Sequence, residues 1–177
     1  MDPYRLYIVQ TSFDGISYTK GDTLDTYETW NIVCSKSPFR RYGDPKDVVS
    51  RNWLDEQGED VYIPQDIKYK KFDAEFTFLC NGSESDVKEN VKGFLSFLTG
   101  KSCSQYNTPV GSRLAIYDTY NSIGWKDVRL KSFSNDGILL NKGEDEVVLE
   151  FKVMFEVFDP YTNVIYVSNT GQIVWQG

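Results

Sequence analysis

The sequence predicts a mainly β protein of the α+β kind: an antiparallel β-sandwich or split barrel with one packed α-helix (about residues 85–99) and a long loop or arm. Three observations carry this. Aromatic residues make up 15% of the 177 residues (12 Tyr, 11 Phe, 4 Trp), a composition that suits pleated, half-buried surfaces. Two segments alternate apolar and polar residues with a period of two. A single segment shows convincing helical spacing. The length is that of about one domain. It suffices to bury roughly 70% of the unfolded surface without staples, so residues 1–177 read as one β-rich domain.

Tyr4 to Gln10 reads as a first strand. Glu28 to Cys34 reads as a second, reached through turn chemistry at Asp14-Gly15 and Lys20-Gly21-Asp22. From Ser35 to Pro64 periodicity disappears. Pro38, Gly43, Pro45, Gly58 and Pro64 punctuate a polar stretch. Such a length of irregular chain is unusual inside a compact domain and is often functional. Residues 35–64 are therefore expected to form an extended loop or arm. Its candidate subunit-interface residues are Arg40, Arg41, Trp53, Leu54 and Tyr62. Trp53 is the most conspicuous. Flanked by Asn52, Asp55 and Glu56, it has little apolar company, as an anchor in a protein–protein contact would.

In the next segment Phe72, Ala74, Phe76, Phe78 and Cys80 share one face; Asp73, Glu75 and Thr77 share the other, with Leu79 as the exception. This is a strand with one face buried and one wet. The chain turns at Asn81-Gly82, where Asn81-Gly82-Ser83 reads as a turn rather than a glycosylation site. Ser83, Glu84 and Asp86 supply an N-cap acceptor and first-turn negative charge. Val87, Val91, Phe94, Leu95 and Leu98 form one helical stripe, stopped at Gly100. Gly93 weakens this helix by ~1 kcal/mol relative to Ala, and about 15 residues of helix are marginal alone in water. Burying five such side chains contributes on the order of 10 kcal/mol, so the helix exists by docking on a sheet.

Arg113 to Tyr120 and Trp125 to Phe133 read as strands of a hairpin joined at Ser122-Ile123-Gly124. Asn135-Asp136-Gly137 and Asn141-Lys142-Gly143-Glu144 read as turns. The longest alternation follows: Val147, Leu149, Phe151, Val153, Phe155 and Val157 line one face, and Asp159-Pro160-Tyr161 ends the run. Asn163 to Val167 and Gln172 to Trp175 read as two short closing strands.

The formal net charge is −7, which disfavours nucleic acid as a specific ligand. There is no histidine, which excludes a Ser-His-Asp triad, a Cys-His pair and a His-ligated metal. No apolar run approaches the length that spans a membrane, and the first residues lack the pattern of a signal peptide. Cys34, Cys80 and Cys103 are odd in number and widely spaced; they read as reduced thiols, Cys80 in the core. Two carboxylate clusters occur: Asp55, Glu56, Glu59 and Asp60, then Glu144, Asp145 and Glu146. Both lie in glycine-containing loop sequence and read as solvated loops, in preference to a calcium site or a catalytic pair. No phosphate-loop, dinucleotide or nucleophile-elbow motif occurs. The chain is expected to be no enzyme and to need no cofactor. Of the tryptophans, Trp30 and Trp125 read as core. A carbohydrate-binding module using exposed Trp and Tyr is the alternative reading.

The order of parts is informative: the turn-rich NWLDEQGED (52–60), the strand KKFDAEFTFLC (70–80), the helix VKGFLSFLTG (91–100), the pair RLAIYDTYNS (113–122) and WKDVRLKSF (125–133), and VVLEFKVMFEVFDPY (147–161) running into Asp-Pro-Tyr. Over roughly residues 50–165 this layout resembles phage tail structural proteins, most closely the N-terminal domain of the distal tail protein of long-tailed phages. The resemblance implies a homohexameric ring at the tail tip, linking tail tube to baseplate and adhesion device around a lumen for DNA. It implies a virion tail location after synthesis in the bacterial host cytoplasm. It implies copies of itself, tube, tape measure and baseplate hub as partners, and no catalytic residues. A net negative subunit is expected to repel DNA within such a lumen.

Overall fold

The computed structural model describes residues 4–52, 54, 57–109, 111–134, 138–141 and 145–175. The expected turn at 135–137 and residues 142–144 of the second expected turn lie outside them. The described chain is mostly β, with thirteen strands and two helices among these residues.

The strands are β1 (Leu6–Phe13), β2 (Tyr18–Lys20), β3 (Leu24–Asp25), β4 (Ile32–Lys36), β5 (Ser50–Arg51), β6 (Asp60–Val61), β7 (Phe72–Gly82), β8 (Arg113–Asp118), β9 (Ile123–Phe133), β10 (Ile138–Asn141), β11 (Val147–Val157), β12 (Val164–Val167) and β13 (Gln172–Trp175). The helices are α1 (Thr26–Trp30) and α2 (Glu84–Leu98). One antiparallel sheet runs β2-β1-β8-β9-β11-β7-β4, with β3 on β1 and β10 on β11. Register shifts interrupt the β4–β7, β8–β9 and β9–β11 ladders, and such bulges bend strands and increase twist. The sheet curls without closing. Of the two arrangements expected, it is nearer the split barrel than two facing sheets.

Helix α2 fills the concave face. Ser83 caps it, its hydroxyl accepting from the Asp86 amide. Val87, Val91, Phe94, Phe97 and Leu98 are buried, and Leu95, expected in the stripe, is only partly so. The core is aromatic. Phe76 meets Trp125 edge-on at 5.9 Å, and Phe78 meets Phe94 at 5.4 Å, the geometry that ring quadrupoles favour. Cys80 is fully buried and Cys34 nearly so; all three cysteines are free. Gln10, also buried, donates from Nε2 to the Phe97 and Lys101 carbonyls, both at 2.8 Å. It adds a second donor to the Phe97 carbonyl, which also accepts from the Gly100 amide at 3.0 Å, and ties the helix end to β1.

The segment Glu28 to Cys34, expected as one strand, is half helix. Asp25 accepts from the Tyr27 amide and starts α1; Asn31, at φ 52°, ends it in the left-handed region; β4 begins only at Ile32. Arg5 pairs with both Asp25 and Glu28 at 2.7 Å. This turn of helix aims Trp30 at Phe94 and Phe97, 5.4 and 5.2 Å away. A second difference is β10, a strand between two expected turns. It continues beside β11 where β9 stops, Ile138 opposite Glu150.

The convex face is polar over β7, β9 and β11. Glu156 accepts from Lys71 at 2.6 Å and from Arg129 at 2.8 Å, and Lys152 pairs with Glu75 at 3.3 Å. Over β1 and β8 the hairpin β12–β13 covers the same face. It packs Val164 and Ile173 on Val9 and Ala115 and stacks Tyr166 on Tyr7 at 3.9 Å. Gly124 lets this hairpin approach, since a Cβ there would lie 2.8 Å from that of Val164. No described helix is long and apolar enough to cross a membrane.

Candidate functional site

Between β4 and β7 the chain makes one excursion, residues 37–71, where the sequence reading placed an arm over 35–64; residues 35–36 belong to β4 and the return limb runs on to residue 71. Its root is fastened. The Ser37 hydroxyl donates to Asp118 at 2.7 Å, and Asn121 donates to Ser37 at 2.6 Å. The two limbs then run antiparallel: the Lys46 amide donates to the Lys68 carbonyl and the Lys70 amide to that of Asp44, both at 2.7 Å. Tyr42 stacks on Tyr69 at 4.8 Å. Gly43 is needed here, because any Cβ would lie 2.0 Å from the Lys70 carbonyl oxygen. Farther out, β5 pairs with β6, and the Tyr62 amide donates to the Val49 carbonyl at 3.0 Å.

This outer limb buries little. Of the eighteen exposed large apolar side chains among the described residues, nine belong to the arm, including Val49, Leu54, Tyr62 and Ile63. Side chains of this kind, held on a paired backbone and facing water, make the outer limb the candidate interaction surface.

The sequence-predicted residues divide along the arm. Arg40 is engaged at the root: it bonds the Tyr42 carbonyl, pairs with Asp44 at 3.1 Å and lies over the Phe72 ring at 5.0 Å. Arg41 lines a cleft of about 200 Å³ with Tyr42, Ile123, Gly124 and Tyr161. Leu54 is fully exposed at the tip, and Tyr62 is 72% exposed on the outer limb. Trp53 lies outside the described residues. The root arginines and the outer apolar residues therefore do not form one patch. The arm's real signal is the run Val48-Val49 and Val61-Tyr62-Ile63, of which sequence reading picked out Tyr62 alone.

A second surface was not legible in the sequence. An open groove of about 470 Å³ runs beside α2, lined by Val91, Leu95, Phe133 and Leu149 with Lys88 and Lys92 on its helix side. Lys88 pairs with Glu84.

Of the aromatic side chains that a carbohydrate module could use, Tyr62, Tyr120 and Tyr161 are exposed. Trp30 and Trp125 are buried. Tyr18 has the Lys126 ammonium over its ring at 4.3 Å, and Trp175 has that of Lys20 at 5.6 Å. Among the described residues no three carboxylates or cysteines converge as a metal would require; Glu59, Asp60, Asp145 and Glu146 are exposed. Burial raises the Asp127 carboxyl, with Arg113 at 3.1 Å opposing.

No family model matches the sequence, and no curated protein matches it. Among solved structures the chain is similar to the SPP1 Dit (gp 19.1) protein, described as a paradigm of the hub adsorption apparatus in phages infecting Gram-positive hosts. The identity is 12% and the TM-score 0.47, over 90% of this chain and 52% of that one. The chain thus spans about half the length of that protein.

Proposed function

We propose that this chain is a non-enzymatic structural component of a phage or prophage tail, a distal-tail or tail-tube-like subunit that works as a homo-oligomeric ring. The observation that carries the self-assembly is the arm: its root is fixed by side-chain and backbone bonds, while its outer limb holds apolar side chains in water. Support comes also from the strands at the sheet's borders. Among the described residues β2 pairs only with β1 and β4 only with β7, and border strands of this kind can accept a neighbouring chain. The tail assignment rests on the layout of residues 50–165, which resembles the distal tail family. Tube, tape measure and baseplate hub proteins are the further partners of that reading.

Light scattering behind a sizing column tests it. Six copies of a 20.4 kDa chain give about 122 kDa for a closed ring. A monomer at every concentration, alone and with tail partners, would remove the reading.

A further inference from the structure

We infer that the outer limb of the arm of one copy seats in the α2 groove of the next. This rests on the self-assembly reading above and names its contact.

The two surfaces are complementary in chemistry. Residues 50–63 of the arm carry Asp55, Glu56, Glu59 and Asp60 against Arg51 alone. Val61, Tyr62 and Ile63 stand exposed among them. The groove offers the converse: Val91, Leu95, Phe133 and Leu149 form its floor, Lys88, which pairs with Glu84, and Lys92 its helix side, and among the described residues no carboxylate lines it. An acidic, apolar strand on a basic, apolar groove satisfies both, with the charges setting register and the side chains supplying burial.

They are also complementary in position. The arm returns to the sheet at Phe72, the first residue of β7, whereas Leu149 of the groove stands opposite Cys80 near the other end of that strand. Eight residues of strand separate the two places, about 26 Å. A donor at one end of a subunit and its acceptor at the other make a head-to-tail contact. Such contacts repeat from copy to copy and close into a ring where the rotation permits.

Charge reversal in the full chain is the test, read by light scattering. Lys88→Glu/Lys92→Glu and Glu59→Lys/Asp60→Lys change exposed residues only, and circular dichroism checks their folding. Each double variant alone should fall to the 20.4 kDa monomer. A mixture of the two should reassemble, because each then offers the other a matched arm and groove. The four-fold variant in one chain should assemble by itself. A wild-type oligomer that both double variants retain would overturn this contact and leave the assembly reading standing. A wild-type chain that stays monomeric throughout would overturn both.

Discussion

The indole of Trp30 lies against Gly93: a Cβ on that glycine would stand 3.2 Å from Nε1 and 3.3 Å from Cδ1. Helix propensity alone makes Gly93 a defect. Its place under Trp30 makes it, with Phe94 and Phe97, part of the contact between α1 and α2.

Gly93→Ala is therefore expected to destabilise the protein, against the ~1 kcal/mol that Ala gains over Gly in a helix interior. Trp30 is held by Phe94 and Phe97 and cannot yield freely, and overpacking costs about 1–3 kcal/mol. In a Trp30→Ala background the same change should stabilise. A double-mutant cycle by chemical denaturation measures the reversal, and a stabilising Gly93→Ala in the wild type would show that the indole moves aside.

Gln10→Leu is expected to cost about 1–3 kcal/mol, because the Lys101 carbonyl loses its side-chain donor and the Phe97 carbonyl keeps only the Gly100 amide. Gln10→Glu should cost more, since it sets negative charge at the helix's negative end. Thermal unfolding of both variants decides; equal stability of Glu and Gln would remove the proposed role.

Acid should weaken the protein through Glu156. The Lys71 ammonium, with Arg129 adding and burial opposing, holds its carboxyl below the usual value of 4.5. A carboxyl depressed in the folded state contributes stability above its ordinary range, and loses it as pH falls through that range toward the folded value. Glu156→Gln should be less stable than wild type at neutral pH, and the gap should close in acid. Melting temperatures across that range check it; a gap independent of pH would contradict the assignment.

Thiol labelling should be selective. Burial, with Asp118 adding, pushes the Cys34 thiol up to about 12, and burial raises Cys80 to about 11. Thiolate is the reactive form. An alkylating reagent at neutral pH should modify Cys103 alone in the native protein and all three cysteines after denaturation, as mass spectrometry will count.

The long strands were legible because one face of each is buried at every position from Phe72 to Cys80 and from Val147 to Val157 except Leu149, which opens on the groove. The helix from Ser83 was legible through its cap and stripe. α1 was not, since its five residues carry no period; Asp25, Asn31 and the distant Arg5 decide it. β10 is four residues long and owes its existence to β11. The arm showed itself through Pro and Gly, and its direction is fixed by Tyr42 on Tyr69 and by Ser37 on Asp118. The groove brings Leu95 beside Phe133 and Leu149, a juxtaposition that only the folded register of β9 and β11 creates.

The gap between β4 and the β1, β3 and β8 side of the curled sheet is spanned by α1 and by the Ser37–Asp118–Asn121 bonds, and no strand ladder crosses it among the described residues. Ladders open cooperatively, whereas a single helical turn frays with few bonds lost. The molecule thus has a weakest hinge line, and it runs beside the attachment of the arm. Amide protons of β4 should exchange with solvent well before those of β7. Tension on the arm would be felt there first, leaving the aromatic interior sealed.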